Sequence, residues 1–165
     1  MKKSIVIYGS STGTCQGIAQ TIADKLGIES VVDVASLTDA QISENENLIL
    51  GTSTWGCGEL QDDWYSGIEK LKVADLKGKT IAIFGCGDSA SYSDTFCGAM
   101  GVIYNELNNS GANFIGCVST DGYTFDASDA VVNDKFIGLA LDNDNEDSLT
   151  EPRIDAWVEG IKAAL

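Results

Sequence analysis

Residues 4–26, SIVIYGSSTGTCQGIAQTIADKL, pass from an apolar run through a polar loop into a helical pattern. The run at 4–9 is short, β-branched and closed by a glycine, which favours a buried parallel strand. Beyond the loop, apolar residues recur at helical spacing, and Gly27 is placed to end the helix. These apolar positions are Ile18, Ala19, Ile22, Ala23 and Leu26. The stretch therefore predicts the strand–loop–helix unit from which parallel sheets are built.

The same alternation continues along the rest of the chain. Further strands are predicted at 30–35, 47–54, 79–88 and 113–119. Helices are predicted at 39–43, 62–73 and 95–111, and a last helix is predicted to follow Thr150 as its cap, with Pro152 in its first turn. Strands that alternate with helices indicate a doubly wound α/β fold, with a parallel sheet covered on both faces.

One segment departs from this rhythm. Residues 120–150 contain eight acidic side chains and a single basic one, Lys135, around the strand-like stretch KFIGLALD at 135–142. We interpret the segment as a long acidic excursion that interrupts strand five, partly loop and partly extra strand pairing.

Length and composition indicate one domain over residues 1–165. The chain is 44% hydrophobic, which suffices for a substantial core. No apolar run reaches the roughly 18 to 20 residues of a membrane-spanning helix. The apolar stretch near the N-terminus is shorter than the core of a signal peptide, so we expect a cytoplasmic protein.

Charge and cysteine content narrow the possible partners. A net charge of −15 disfavours nucleic acids and anionic membranes and favours basic protein surfaces. The five cysteines form no CxxC pair, so we expect reduced thiols and no metal site. They are Cys15, Cys57, Cys86, Cys97 and Cys117.

The loop after the first strand has the composition of an anion site. Backbone N–H groups at a helix N-terminus favour phosphate, and serine and threonine hydroxyls add donors. No lysine or arginine stands between residues 4 and 24, and the spacing is not that of a Walker loop. The loop therefore suits a single phosphomonoester. An ordinary turn capped by serine and threonine is the alternative.

Two further loops follow neighbouring strands, and each contains an aromatic residue among glycines and small polar residues. They are TSTWGCGELQDDW at 52–64, with Trp55, and FGCGDSASYSDTF at 84–96, with Tyr92. Because parallel sheets bind ligands at the carboxyl ends of their strands, the two rings are placed to stack on a flat heterocycle. Either ring alone is more often a packing residue.

Taken together, these stretches resemble the long-chain flavodoxins over essentially the whole chain. The resemblance is carried by the three loops above and by STDGYTF at 119–125, KFIGLALDNDN at 135–145 and RIDAWVEGIK at 153–162. It implies a five-stranded sheet of order 2-1-3-4-5 and non-covalently bound FMN.

The resemblance also implies the residues around FMN. Those expected at the phosphate are Ser10, Ser11, Thr12, Gly13, Thr14 and Cys15. Trp55 and Tyr92 would cover the two faces of the ring, and its edge would meet Thr54, Gly56, Cys57 and Gly58. The ribityl chain and pyrimidine end would meet Cys86, Gly87, Asp88, Thr95, Cys97 and Asp144.

The implied function is that of a low-potential one-electron carrier, shuttling mainly between the semiquinone and hydroquinone forms of FMN. A monomer is expected to dock to basic redox proteins such as a ferredoxin/flavodoxin reductase and low-potential acceptor enzymes. The protein would tune the potential, while the cofactor supplies the chemistry, so no catalytic residue is expected.

Two other classes share this sheet. A flavodoxin-like NAD(P)H:quinone reductase would need a second pocket beside the flavin and usually a cationic group for a 2′-phosphate, whereas these loops are acidic or neutral. A phosphoacceptor signalling domain would need an acidic pair after strand one, where Gly9, Ser10 and Ser11 stand. The first class stays open as the alternative, and the second is rejected.

Overall fold

The computed structural model describes all residues from 1 to 165. The strands are β1 (Ser4–Gly9), β2 (Val31–Asp33), β3 (Asn47–Trp55), β4 (Glu59–Leu60), β5 (Thr80–Cys86), β6 (Asn113–Ile115), β7 (Val118–Ser119), β8 (Val131–Val132), β9 (Lys135–Phe136) and β10 (Leu139–Leu141). The α-helices are α1 (Thr14–Leu26), α2 (Asp39–Glu44), α3 (Trp64–Val73), α4 (Gly98–Leu107) and α5 (Asn143–Ile161). None of the helices is both long enough and apolar enough to cross a membrane.

The main sheet has the predicted parallel order. β2, β1, β3 and β5 lie side by side, and both β6 and β10 pair with the outer edge of β5. Only the two-residue strand β4 is antiparallel, where the chain turns back on the end of β3. The predicted order 2-1-3-4-5 is confirmed, with the fifth position shared by two strands.

The fifth strand is split into two halves. β6 pairs with Thr80–Ala82 and β10 pairs with Phe84–Cys86, so the two halves extend one line of pairing along β5. Between them the chain leaves the sheet and forms a small antiparallel sheet of order β7-β9-β8. The expected acidic excursion is present, but the predicted strand at 113–119 ends at Ile115. The stretch at 135–142 was predicted only as extra strand pairing, but its second half returns to the main sheet.

A close backbone contact marks this return. A Cβ at Gly138 would lie 2.0 Å from the Ile83 carbonyl oxygen, so no larger residue fits there without movement of one strand. Glycine is therefore required where the chain rejoins β5.

Each face of the sheet buries its own core, as predicted. One core contains Ile5, Leu48 and Ile81 and packs against α3 and α4. The other contains alternate residues of the same strands, among them Val6 and Ile49, and packs against α1 and α5. Residues of a strand alternate between faces, so the continuous apolar runs supply both cores.

Several predicted boundaries were wrong. The strand at 30–35 ends at Asp33, because a 3-10 turn follows. The helix at 95–111 spans only Gly98–Leu107. The last helix begins at Asn143, with a non-helical residue at Glu146, so Thr150 lies inside it and is not its cap. Pro152 also lies inside the helix and not in its first turn.

Candidate functional site

A cleft of about 410 Å³ lies at the carboxyl ends of β1, β3, β5 and β10. It combines the loop before α1, the two aromatic loops and the start of α5. The residues that line it are Thr12, Thr14, Ser53, Thr54, Trp55, Gly56, Cys86, Gly87, Asp88, Tyr92, Asn143 and Asp144. This is the position at which parallel sheets ordinarily bind ligands.

A larger open cleft of about 690 Å³ lies at the opposite end of the strands. It contains four lysines, two of which already donate to backbone carbonyls: Lys70 Nζ to Leu37 O at 2.6 Å and Lys79 Nζ to Asn45 O at 2.7 Å. No aromatic residue lines it. The smaller cleft has the better chemistry for a ligand, as its loops and rings show.

The loop before α1 offers backbone donors that nothing in the protein accepts. Gly13 N–H donates to Ser10 Oγ at 3.0 Å, but the N–H groups of Ser11, Thr12, Thr14 and Cys15 have no acceptor within the chain. Gly13, with φ of 90°, stands at the cap position of α1 and provides no side-chain cap. These free donors lie at the N-terminus of the thirteen-residue helix α1, and the positive end of the helix dipole there favours an anion.

Two aromatic rings stand at the cleft without being packed into the core. Trp55 is 43% exposed and Tyr92 is 52% exposed. The indole Nε1 of Trp55 donates to Ser53 Oγ at 2.9 Å, which fixes the edge of that ring. Gly56, the next residue, has φ of 52° and starts the turn to β4. Large rings exposed beside a cleft fit a flat aromatic ligand.

The side of the cleft opposite the loop is acidic. Asp88 Oδ1 accepts hydrogen bonds from Asn145 Nδ2 at 2.8 Å and from the Ser91 and Ala90 N–H groups at 3.0 and 3.2 Å. The bond from Asn145 is the largest cause that holds the pKa of the Asp88 carboxyl below its usual value. No lysine or arginine lines the cleft. A bound anion would therefore rely on neutral donors.

Two of the predicted cysteines, Cys15 and Cys97, are buried and do not line the cleft. A hydrogen bond with Cys86 and burial raise the pKa of the Cys15 thiol well above its usual value. Cys97 is completely buried, with its Sγ 3.7 Å from Leu141 O, and burial raises the pKa of its thiol as well. Both thiols belong to the core, and at Cys15 only the backbone N–H is available to a ligand.

Ten of the twelve lining residues were predicted from the sequence. The predicted residues that do not line the cleft are Ser10, Ser11, Gly13, Cys15, Cys57, Gly58, Thr95 and Cys97. Sequence reasoning missed Ser53 and Asn143. Ser53 could have been found as the alternate neighbour of Trp55 along β3, and Asn143 as the residue before Asp144.

The lining residues fit a ligand with a flat ring system and an anionic group. The free N–H groups suit the anion and the two exposed rings suit the flat system. Asn143 adds an unpartnered acceptor, because its Oδ1 is buried and has no hydrogen-bond partner. No group of three or more histidine, cysteine or carboxylate side chains is arranged to hold a metal ion.

Comparisons by sequence and by structure all find similarity to flavodoxins. The profile of the flavodoxin family matches residues 6–157. A flavodoxin from Synechocystis sp. is 42% identical over 168 residues, covering 100% of this chain and 99% of the relative. A flavodoxin from Helicobacter pylori is 38% identical over 165 residues, covering 100% and 99%. The structure of Fusobacterium nucleatum flavodoxin bound to flavin mononucleotide superposes with a TM-score of 0.93 at 34% identity, covering 100% of this chain and 99% of that one.

Proposed function

Because the chain belongs to the flavodoxin family, we propose that it binds FMN non-covalently in this cleft and acts as a low-potential one-electron carrier. Flavodoxins are electron-transfer proteins rather than enzymes. One observation carries the assignment of the cleft: two exposed aromatic rings flank it, and unaccepted N–H groups form its anion-binding end.

The loop from Ser10 to Cys15 holds the phosphate in this proposal. The unaccepted N–H groups of Ser11, Thr12, Thr14 and Cys15 are its main donors. Thr12 and Thr14 line the cleft, so their hydroxyls add to these donors. Ser10 supports the loop through Gly13 rather than facing the cleft. Ser11 Oγ already accepts from Gln61 Nε2 at 3.1 Å, which ties the loop to the start of α3.

The two rings hold the flat part of the cofactor. Trp55 and Tyr92 stack on opposite faces. The ring edge meets Thr54 near the end of β3 and Gly56 directly after it, and Cys57 and Gly58, which lie outside the lining, continue the turn beside it. The ribityl chain and pyrimidine end run along Cys86, Gly87, Asp88 and Asp144. Thr95 and Cys97 lie outside the lining, and Cys97 is completely buried.

Bound FMN supplies the one-electron chemistry, and the protein sets its potentials. Negative charge at Asp88 and Asp144 disfavours added charge on the ring by Coulomb repulsion, in a chain whose net charge is −15. The absence of a cation at the phosphate loop adds to this effect. We therefore propose that the protein transfers electrons mainly through the one-electron couple of FMN that has the lower potential.

The partners in this proposal are basic redox proteins, such as a ferredoxin/flavodoxin reductase and low-potential acceptor enzymes. The protein itself acts as a monomer in the cytoplasm. Support comes from the acidic mouth of the cleft and the net charge. Electron transfer to a basic partner should slow as salt rises between about 0.05 and 0.5 M, because screening weakens the steering of the encounter. A rate that ignores salt would contradict acidic docking.

Titration of the apoprotein with FMN tests the function, with flavin fluorescence and absorption as readouts. We expect one equivalent to bind with its fluorescence quenched, and no NADPH oxidation when a quinone is added. Absence of FMN binding would contradict the carrier proposal. Rapid NADPH-dependent quinone reduction by the protein alone would favour the quinone reductase.

A further inference from the structure

The acidic side of the cleft consists of two segments from distant parts of the chain. Residues 87–92 follow β5, and residues 142–146 follow β10 and open α5. Gly87 N–H donates to Leu141 O at 2.9 Å, and beyond this point no backbone hydrogen bond links the two segments. Side chains must hold them together where they reach the cleft.

Asp142 makes the first of these side-chain links. It stands immediately before the first turn of α5, where aspartate ordinarily accepts N–H groups of the helix, but its side chain makes no such bond. The residue is 1% exposed, and its carboxylate accepts from Ser89 Oγ and, at 2.9 Å, from Asn145 Nδ2. A buried carboxylate needs hydrogen-bond donors, and Asp142 takes one of them from Ser89 in the neighbouring loop instead of from the helix N–H groups.

Asn145 makes the second link. Its Nδ2 donates to Asp142 Oδ1 at 2.9 Å and to Asp88 Oδ1 at 2.8 Å, which uses both hydrogens of the amide. Since carboxylates only accept, the amide nitrogen must face them, and this fixes the orientation of the side chain. The amide thus joins two like charges that would otherwise repel one another.

Asp88 transmits this link to Tyr92. Its Oδ1 also accepts the N–H groups of Ala90 and Ser91, and its carbonyl oxygen accepts the Tyr92 N–H at 2.9 Å. The turn that presents the Tyr92 ring is therefore closed on Asp88. Asp88 therefore holds the backbone from which the Tyr92 ring extends.

The first turn of α5 is held in place by hydrogen bonds of Glu146. Glu146 N–H donates to Asp142 O at 2.8 Å, and the Glu146 carboxylate accepts from both terminal nitrogens of Arg153 at 3.3 Å. Arg153 in turn stacks on the Tyr123 ring, 3.9 Å from its centroid. These contacts hold the first turn of α5, from which the Asn145 side chain extends.

We propose that Asn145 is a positioning residue for the aromatic ring of Tyr92: by bridging Asp88 to Asp142, it holds the Tyr92 turn against the start of α5, so that the ring stands at the cleft before the cofactor binds. The inference rests on the proposed FMN function. Asn145 itself does not line the cleft, so its effect on FMN runs through Tyr92.

A double-mutant cycle on the full-length apoprotein tests this directly. Asn145→Ala should raise the Kd for FMN about threefold to tenfold, the range of a net hydrogen-bond contribution. In the Tyr92→Ala background the same change should alter Kd by less than about twofold, because coupled residues are non-additive. Equal effects in both backgrounds, or no effect in the first, would overturn the proposal.

Two further variants separate positioning from packing. Asn145→Asp keeps the shape but removes both donors and adds a charge, so it should weaken FMN binding at least as much as alanine does. Unchanged affinity would overturn the bridge. Asn105→Ala, at an exposed asparagine of α4 that makes no side-chain hydrogen bond, should leave Kd unchanged.

Hydrogen exchange on the apoprotein gives a readout that needs no cofactor. The amides of Ala90 and Ser91 should exchange faster in Asn145→Ala than in the unmodified chain, while core amides of β3 keep their rates. Unchanged exchange at both amides would overturn the bridge. A wild-type apoprotein that binds no FMN would overturn the function instead, and the exchange result would still decide the bridge.

Discussion

On one side of the cleft, residues 10–15 form a neutral loop between a strand and a helix that are consecutive in sequence. On the other side, residues 87–92 and 142–146 form an acidic wall from two segments that are far apart in the chain. The first side is held mainly by local contacts: Gly13 N–H donates to Ser10 Oγ, and one long-range bond, from Gln61 Nε2 to Ser11 Oγ, adds to it. The second needs Asp142, Asn145 and Asp88 to hold its parts together. Local sequence builds the loop proposed to bind the anion, whereas the acidic wall depends on long-range contacts.

The largest expected effect is at Gly138, where the chain returns to the sheet and leads through β10 into the acidic wall. Gly138→Ala would place a Cβ 2.0 Å from Ile83 O, so we expect a loss of about 3 kcal/mol in the free energy of unfolding. Gly17→Ala, in the open face of α1, should instead be neutral or stabilising by up to about 1 kcal/mol. Chemical denaturation measures both. Equal stabilities would show that the two sides depend alike on local structure.

The next effect concerns a ring on the acidic side. Tyr92→Ala should weaken FMN binding by about 1 to 3 kcal/mol, by analogy with base stacking on aromatic side chains. Trp55→Ala should cost a similar amount from the other face. Titration of each apoprotein with FMN gives the Kd, with Tyr65→Phe, at an exposed ring on α3, as control. Unchanged affinity in both alanine variants would rule out a sandwiched ring.

The sequence predicted the two sides of the cleft unequally, because one is built from local contacts and the other from long-range contacts. The anion loop, α1 and both aromatic rings were predicted because their signals lie within short stretches. The split of strand five was placed wrongly, since 113–119 and 135–142 both have strand character and only register on β5 decides which residues pair.

The inward thiol of Cys15 was missed, although its spacing to Ile18 and Ala19 puts it on the apolar face of α1. Asn145 gave no signal at all. Its role arises from two carboxylates that come together only in the folded chain.

A smaller effect is expected at the turn after Trp55. Gly56 has φ of 52°, a conformation that costs a residue with a Cβ about 1 kcal/mol. Gly56→Ala should therefore weaken FMN binding by up to about fivefold. Gly78→Ala, with φ of 79° at the other end of the sheet, should lose stability but keep its FMN affinity. If both variants bind FMN equally well, the turn does not shape the cleft.

The smallest effect should be at the neutral loop. Ser10→Ala removes the acceptor for Gly13 N–H, and because Ser10 acts on the loop only indirectly we expect a loss of about 0.5 kcal/mol in FMN binding, the low end of a net hydrogen-bond contribution. Riboflavin, which lacks the phosphate, should bind the variant and the unmodified protein alike. An equal loss for both ligands would mean that Ser10 supports the whole cleft and not its anion-binding end.

In the proposed function, FMN bound in this cleft is a low-potential one-electron carrier, and the charge of the acidic wall sets the lower of its two potentials. A spectroscopic redox titration of the FMN-loaded protein tests it most directly, with Asp144→Asn measured beside the unmodified chain. We predict two separate one-electron steps, the second below the potential of free FMN and shifted upward in Asp144→Asn. A single two-electron step near the potential of free FMN, unchanged in the variant, would contradict the account.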